Sequence, residues 1–242
     1  LGVILENRWL IAGTTALALL VGFYQAFTAV PIYRADVLLQ VEERSRSGLS
    51  NLDVTSMLED YAPVNAEIEI LRSRSVLGDV VDNLKLDIYA YPDLSTIGAA
   101  LARRRPAEER PKIKVDSLEL PESLRGQSFR LTIAGQNDYE VFDGEGSLLL
   151  RGRVGEPAAT SPADGDFLRI FVSALQGKER QDFLVGRSSR IGSIQSLKGR
   201  LAVKEQGEWS GILSISVVCV DPDSTRRQVD EIANVYVRQN VE

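Results

Sequence analysis

The pattern of apolar and polar residues divides the chain into an uncharged N-terminal run, two short helical stripes, a β-rich middle and a long C-terminal helix. No charged residue lies between Trp9 and Tyr33. The run holds about 22 residues, which at 1.5 Å each cover a hydrocarbon core of roughly 30 Å. This predicts a transmembrane helix. A secretory signal peptide is the alternative, although the run is longer than a usual signal sequence and shows no clear cleavage site.

Two apolar stripes follow, and they do not join into one helix. Carrying the first stripe forward from Leu71 reaches Arg74 or Ser75 instead of an apolar residue. The second stripe begins at Leu77. Between them lies Ser73, whose hydroxyl can accept a hydrogen bond from the first turn of the following helix. The pattern predicts two short helices that meet at this seam, or one helix kinked there.

The middle of the chain alternates apolar and polar residues in short runs. A strand is predicted directly after the apolar run, within YRADVLLQVEE, and others in KIKVDSLEL, SFRLTI, YEVFD, SLLLRGRV, FLRIFVSAL and DFLVGR. The turn at 143–146 predicts a hairpin, as does EQGEWSG before GILSISVVCV. Short helices are predicted near 94–102 and 191–197, and a loop over 44–63.

The last segment has the strongest helix pattern. Asp221 suits the N-cap, Pro222 suits the first helical position, and one apolar stripe follows. The order of elements predicts an α+β fold: an N-terminal transmembrane helix, a mixed α/β domain with a β-rich insertion, and a long C-terminal helix. The expected division is a transmembrane helix with its flanks over 1–32, a core from 33–105 and 200–242, and an inserted subdomain over 106–199.

Charge and composition exclude several classes of function. The net charge of -6 argues against nucleic acid as a partner, because phosphate binding needs a basic face. The run Arg103–Arg105 precedes Pro106 and two glutamates, which favours a solvated loop over a phosphate site. The chain has no histidine, and its one cysteine, Cys219, is predicted to be a small buried hydrophobe. Imidazole-based catalysis, an internal disulfide and a cysteine-based zinc site are therefore excluded.

Carboxylate chemistry stays open on composition alone, but no set of residues supports it. The sequence has no Walker A motif, no dinucleotide-binding glycine motif and no calcium-loop motif. Glu67 and Glu69 lie two positions apart, hence on different faces of a helix. We predict no catalytic, cofactor-binding or metal-binding residue in this chain.

Several segments resemble the polysaccharide co-polymerases, the Wzz-type chain length determinants, and within them the Wzc-like branch fused to bacterial tyrosine autokinases. The resemblance covers nearly the whole chain, in the family's order. It is carried by RWLIAG before the apolar run and VPIYRADVLLQVE after it, by EIEILRSRSVLGDVVDNLKLDIYAYP, by KVDSLELPESLRGQSFRLTI, YEVFDGEG and RGRVGEPA, and by LAVKEQGEWSGILSISV with DPDSTRRQVDEIANVYVRQN.

The resemblance implies an inner-membrane protein with a periplasmic domain, a second span after Glu242 and a ring-shaped homo-oligomer. It also implies control of the length and export of a capsular polysaccharide or exopolysaccharide, together with a polymerase and an outer-membrane exporter. A cytoplasmic kinase domain, with its ATP and Mg²⁺, would lie outside this chain. The residues present therefore leave open whether the intact protein is an enzyme.

Four charged residues at the seam are candidates for a subunit interface: Glu67, Glu69, Arg72 and Arg74. We hypothesise that the seam turns the two helices so that the arginines meet acidic groups of the same or a neighbouring subunit. Pairing within the chain, such as Glu69 with Arg72 three positions later, is the alternative and contributes little at a surface.

Two other classes of function stay open on the sequence. A membrane-anchored carbohydrate-binding module is the second hypothesis, because Trp209 lies in a turn where a sugar ring could stack on it. A membrane-tethered hydrolase that uses carboxylates is the third, and it lacks a recognisable set of residues.

Overall fold

The computed structural model describes residues 7–40, 61–121, 124, 126–160, 167–207 and 210–241. Its helices are α1 (Arg8–Thr28), α2 (Tyr61–Leu71), α3 (Arg74–Leu84), α4 (Thr96–Arg104), α5 (Arg190–Arg200) and α6 (Pro222–Val241), with a 3-10 turn over Ala107–Glu109. Its strands are β1 (Tyr33–Gln40), β2 (Ile88–Pro92), β3 (Lys112–Glu119), β4 (Ser128–Ile133), β5 (Asp138–Phe142), β6 (Leu148–Arg153), β7 (Pro157–Ala159), β8 (Arg169–Gln176), β9 (Asp182–Arg187), β10 (Leu201–Glu205) and β11 (Ile212–Cys219). The fold is mixed α/β, as predicted.

The first sheet is built around β11. Strand β1 pairs with it antiparallel, from Tyr33 opposite Cys219 to Gln40 opposite Ile212, and β10 pairs along its other edge. Alternate residues of β11 are buried, the period-2 pattern of a strand with one face on a core. These residues form one hydrophobic cluster with α2, α3, α5 and α6. We call this cluster the first core.

The β-rich middle forms a second core. A five-stranded sheet in the order β2-β9-β4-β5-β6 and a three-stranded sheet in the order β3-β8-β7 contribute its buried residues. Tyr139 on β5 is fully buried and lies opposite Gly152 on β6. A Cβ atom at residue 152 would lie 2.4 Å from the Tyr139 ring, so this close approach requires glycine. Strands β5 and β6 therefore pack closely around the ring of Tyr139.

The predicted turns and caps are confirmed. Asp143 Oδ1 accepts hydrogen bonds from the backbone N–H groups of Glu145 at 2.9 Å and Ser147 at 2.7 Å, which closes the β5–β6 hairpin. Asp221 caps α6 by accepting from the N–H of Ser224 at 2.8 Å. Strands β2 and β7 were not predicted from the sequence pattern. Each contains a proline and lies at the edge of its sheet, where the missing N–H is tolerated.

Cys219 is buried, as predicted, but it is more than a hydrophobe. Arg200 Nη1 donates to its Sγ at 2.8 Å, and Sγ donates to Gln228 Oε1 at 3.5 Å. The thiol therefore connects the last residue of α5 to α6.

The chain passes from the first core to the second and back again at positions that differ from the expected bounds of 106 and 199. Ile88 already packs against the second core, because β2 pairs with β9, and Ile194 belongs to the first core. The chain enters the second core between Leu86 and Ile88 and returns to the first core between Val185 and Ile194. The division into a core and an inserted subdomain stays a prediction, and the clusters suggest bounds for it that lie earlier in the chain.

The uncharged run forms α1, in which no side chain is buried. By length and composition, it is the one helix in the described ranges that is apolar enough to cross a membrane. A signal sequence near an N-terminus has the same properties, so the alternative interpretation concerns the same residues.

The prediction of a solvated loop at Arg103–Arg105 is wrong for the first two arginines. Both belong to the last turn of α4. Arg103 Nη2 donates to the backbone oxygen of Thr28 at 3.1 Å, and the guanidinium carbon of Arg104 lies 3.8 Å from the centre of the Phe27 ring. These contacts hold α4 against the C-terminal end of α1.

Candidate subunit interface at the helical seam

The seam consists of two separate helices with a cap between them. Helix α2 ends at Leu71, and Ser73 Oγ accepts a hydrogen bond from the backbone N–H of Val76 at 3.3 Å in the first turn of α3. The backbone oxygen of Ser73 also accepts from the N–H of Leu77 at 3.1 Å. The two-helix form of the prediction is confirmed, because the serine side chain replaces the hydrogen bond that a continuous helix would have made.

Helix α6 crosses the seam and connects both of its helices. The Tyr236 hydroxyl donates to Glu67 Oε2 on α2 at 2.7 Å. One turn later, Gln239 Nε2 donates to Asp79 Oδ2 on α3 at 2.9 Å and to Ser75 Oγ at 3.5 Å. Tyr236 and Gln239 of α6 therefore hold α2 and α3 in place on either side of the seam.

The four candidate residues differ in exposure and in their contacts. Glu67 is half-buried and is held by Tyr236, whereas Glu69 points to solvent. Arg72 is half-buried, and Arg74 is exposed at the first residue of α3. Within the described ranges, no ion pair within 4.0 Å joins Glu69 to Arg72. The intrachain pair that we considered as the alternative is thus not formed here.

Arg72 carries the most unusual electrostatic feature of the seam. Its Nε atom is shielded from solvent and has no hydrogen-bond partner among the described residues. Leaving a buried donor without an acceptor costs about 1–3 kcal/mol, and more for a charged group. An acidic group that reached this position would therefore be bound favourably by the arginine.

A second polar link ties α3 to α5 below the seam. Arg190 binds Asp82 in bidentate fashion, with Nε 3.0 Å from both carboxylate oxygens and Nη2 2.7 Å from Oδ2. These hydrogen bonds, reinforced by the charge of the guanidinium, lower the pKa of Asp82 below its usual value. The link keeps α3 in place independently of α6.

Sequence reasoning missed the partners that define this site. Tyr236 belongs to the apolar stripe predicted for the C-terminal helix, but a buried tyrosine usually needs a partner for its hydroxyl, and that need was the available signal. Asp82 and Arg190 lie 108 residues apart, and nothing local predicts their pairing. Trp209, on which the carbohydrate-binding hypothesis rested, lies outside the described residues. No group of three or more aspartate, glutamate or cysteine residues in the described part could hold a metal ion.

Comparison with known proteins gives matches along the chain. Residues 1–84 match the model of the chain length determinant protein family, and residues 90–188 match the N-terminal domain of the tyrosine-protein kinase Wzc. The change from one match to the next coincides with the change from the first core to the second.

The full-length relatives are about three times as long as this chain. The EpsB protein of Ralstonia nicotianae is 38% identical over 256 residues, which cover 100% of this chain and 34% of the relative. The tyrosine-protein kinase wzc of Salmonella typhimurium is 33% identical over 241 residues, with 99% of this chain and 32% of the relative covered. For the tyrosine-protein kinase etk of Escherichia coli the identity is 27% over 246 residues.

Among solved structures, FlgL of Xanthomonas campestris covers 64% of this chain and 47% of its own at 13% identity. Its TM-score of 0.27 is too low to indicate a shared fold.

Proposed function

Because the chain belongs to the Wzc-type branch of the chain length determinant (Wzz) family, we propose that it is the non-catalytic membrane and periplasmic part of a polysaccharide co-polymerase. It controls the chain length and export of a capsular polysaccharide or exopolysaccharide. Two consecutive family matches carry this proposal, since both the chain length determinant segment and the Wzc N-terminal segment are present in order.

In this function α1 crosses the inner membrane and the chain from Tyr33 onward lies in the periplasm. No side chain of α1 is buried, although α4 contacts its C-terminal end, and this supports the placement because an apolar helix so little covered by protein needs lipid around it. The chain spans about a third of the length of these relatives, which are tyrosine-protein kinases by name, and this supports a second span and a cytoplasmic tyrosine autokinase domain outside the chain as part of the proposal. That domain, not this chain, would bind ATP and Mg²⁺.

The experiment that tests this function compares exported and surface polysaccharide from cells with and without the intact gene. Deletion is expected to remove long polymer, and complementation with the intact protein is expected to restore it. An unchanged size distribution after deletion would contradict the proposal.

The intact protein works as a ring-shaped homo-oligomer beside the polymerase and an outer-membrane exporter, and the seam forms part of its subunit interface. Two features support the seam in this role: the buried Nε of Arg72 lacks an acceptor among the described residues, and Arg74 presents its charge to solvent. Both arginines would be satisfied by carboxylates of a neighbouring subunit.

Charge reversal at Arg74 tests the interface without threatening the fold. Arg74 is the first residue of α3, where the helix dipole favours a negative side chain, so Arg74→Glu is expected to leave α3 intact. The mass of the detergent-solubilised intact protein should then fall from the oligomer toward the monomer. Arg226→Glu is the matched control, because Arg226 is also an exposed helical arginine and, among the described residues, its ion pair is with Asp230 of its own helix. An oligomer of unchanged mass in Arg74→Glu would remove the seam from the interface.

A further inference from the structure

Helix α4 lies at the end of the helix that is apolar enough to cross a membrane. Thr28 is the last residue of α1, and its carbonyl group is one of those that a helix end leaves without an intrahelical partner. Arg103 donates to that carbonyl, and Arg104 covers the ring of Phe27. A cation near a helix C-terminus and a guanidinium on an aromatic face are both stabilising. Two independent contacts therefore hold α4 beside the C-terminal end of α1.

The face of α4 that is not used in these contacts is apolar. Ile97 is 52% exposed and Leu101 is 50% exposed, and residues four positions apart lie on the same side of a helix. Ala100, on another side, is 1% exposed. Exposed Arg105 follows this strip at the C-terminal end of the helix. Two large apolar side chains followed by arginines form the pattern of a helix that lies on a lipid surface.

We propose that α4 is an interfacial helix, with Ile97 and Leu101 inserted among the lipids beside the end of α1 and the arginines on anionic headgroups. The inference rests on the proposed membrane placement of α1. The exposed side of α4 binds a bilayer surface that contains anionic lipid, because α4 is fixed at the end of the membrane helix and ends in the arginine run Arg103–Arg105, whose last member is the exposed C-cap residue. Long arginine side chains reach headgroup phosphates from a helix whose apolar side chains lie deeper.

Helix α5 offers a matched comparison within the same chain. Both helices begin with the sequence Ser-x-Ile-Gly, and in both the serine caps the helix: Ser95 Oγ accepts from the N–H of Gly98 at 3.2 Å, and Ser189 Oγ from that of Gly192 at 3.1 Å. Ile191 thus occupies the same helical position as Ile97 and is 64% exposed. Helix α5, however, packs on α3 through the Arg190–Asp82 link. The two isoleucines therefore occupy equivalent helical positions, but α4 lies beside α1 and α5 lies beside α3.

The test places a nitroxide label at one of these isoleucines at a time. The full chain, with Cys219→Ala to remove the native thiol, carries Ile97→Cys or Ile191→Cys and is reconstituted into vesicles of phosphatidylglycerol and phosphatidylcholine. Collision with oxygen reports lipid exposure, and collision with a water-soluble nickel chelate reports water exposure. The label at residue 97 is expected to favour oxygen, and the label at residue 191 is expected to favour nickel.

A third label at Leu19 separates failure of this inference from failure of the membrane placement. Leu19 is 69% exposed on α1 and should be lipid-exposed if α1 spans the bilayer. Lipid exposure at Leu19 with water exposure at residue 97 would overturn the interfacial helix alone. Water exposure at both would overturn the placement of α1 as well. Low collision rates with both reagents at residue 97 would indicate a protein partner, such as a second copy, and would also overturn the proposal.

The arginine part of the proposal has its own test. In vesicles of phosphatidylcholine alone, the label at residue 97 is expected to lose oxygen exposure and gain nickel exposure. Arg105→Gln should give a similar shift in the anionic vesicles, because Arg105 is exposed and its side chain is not among those that bind α1. The same exposure in both lipid compositions would overturn the role of the arginines.

Discussion

Around the second core, charged side chains pair across strands that are already neighbours, as Arg151 does with Glu140 at 2.8 Å. Around the first core, the Arg190–Asp82 pair connects segments that are far apart in the chain. Backbone ladders hold the second core whether or not its surface charges pair, and exposed pairs of that kind contribute little. The first core depends on side chains to align its helices, and there one charged donor, Arg72 Nε, stays without an acceptor in the described part. The surface best suited to bind a neighbouring subunit is therefore the helical surface at the seam.

Truncation of one leucine in each core gives the largest expected effect. Leu77 in the first core and Leu131 in the second are both 0% exposed, so Leu77→Ala and Leu131→Ala should each lower the free energy of unfolding of their own core by about 2–5 kcal/mol. Hydrogen exchange measured by mass spectrometry locates the effect. Leu131→Ala should speed exchange in β4, β5 and β9 but not in β11. Equal acceleration in both cores would show that they unfold as one unit.

Gly152→Ala probes how tightly the second core is fitted around Tyr139. The added methyl group would lie 2.4 Å from the ring, and overpacking of this kind costs about 1–3 kcal/mol. Chemical denaturation in detergent should show the loss. Gly144→Ala is the control, because a Cβ atom at residue 144 meets nothing within 4 Å. A loss of the same size in both variants would mean that the ring is not the cause.

The hydroxyl of Tyr139 predicts a smaller, pH-dependent effect. It is buried without a hydrogen-bond partner among the described residues, and burial raises the pKa of Tyr139 to about 12. Between the unfolded pKa near 10.0 and the folded value, the unfolded chain releases this proton and the folded one keeps it, so the second core should lose stability as the pH rises from 10 to 12. Tyr139→Phe should remove that loss. An identical alkaline decline in Tyr139→Phe would contradict the assignment.

The Asp82–Arg190 link is expected to give the smallest effect, because both side chains are about half exposed. Since the pKa of Asp82 is lowered in the folded chain, its stabilisation is complete above the unfolded aspartate pKa and is lost as the pH falls through the folded value. Asp82→Asn should therefore flatten the acid decline in the stability of the first core. Asp230→Asn, within a single helix, is the control and should leave that decline unchanged.

Local chemistry explains which parts of the fold can be predicted from the sequence. Ser73, Asp143 and Asp221 act on backbone groups within four residues of themselves, so a short window contains all the information needed. Strand β2 could not be predicted in the same way, because its stability comes from pairing with β9 about a hundred residues later. The earlier start of the second core, at Ile88 instead of 106, follows from that pairing.

The candidate site shows the same limit. Its seam follows from the break in the apolar stripes, whereas the hydrogen bond of Glu67 with Tyr236 joins residues 169 positions apart. The arginines of α4 were expected to be solvated because their neighbours in sequence are charged. Their contacts with Phe27 and Thr28 depend on how the chain brings α4 back to α1.

The most direct measurement is the size distribution of the exported polysaccharide in cells whose intact protein carries Arg74→Glu, at the same membrane level as the unchanged protein and Arg226→Glu. If the seam is a subunit interface of a chain length determinant, Arg74→Glu should lose long polymer while Arg226→Glu keeps it. An unchanged distribution in Arg74→Glu would contradict the role of the seam in length control.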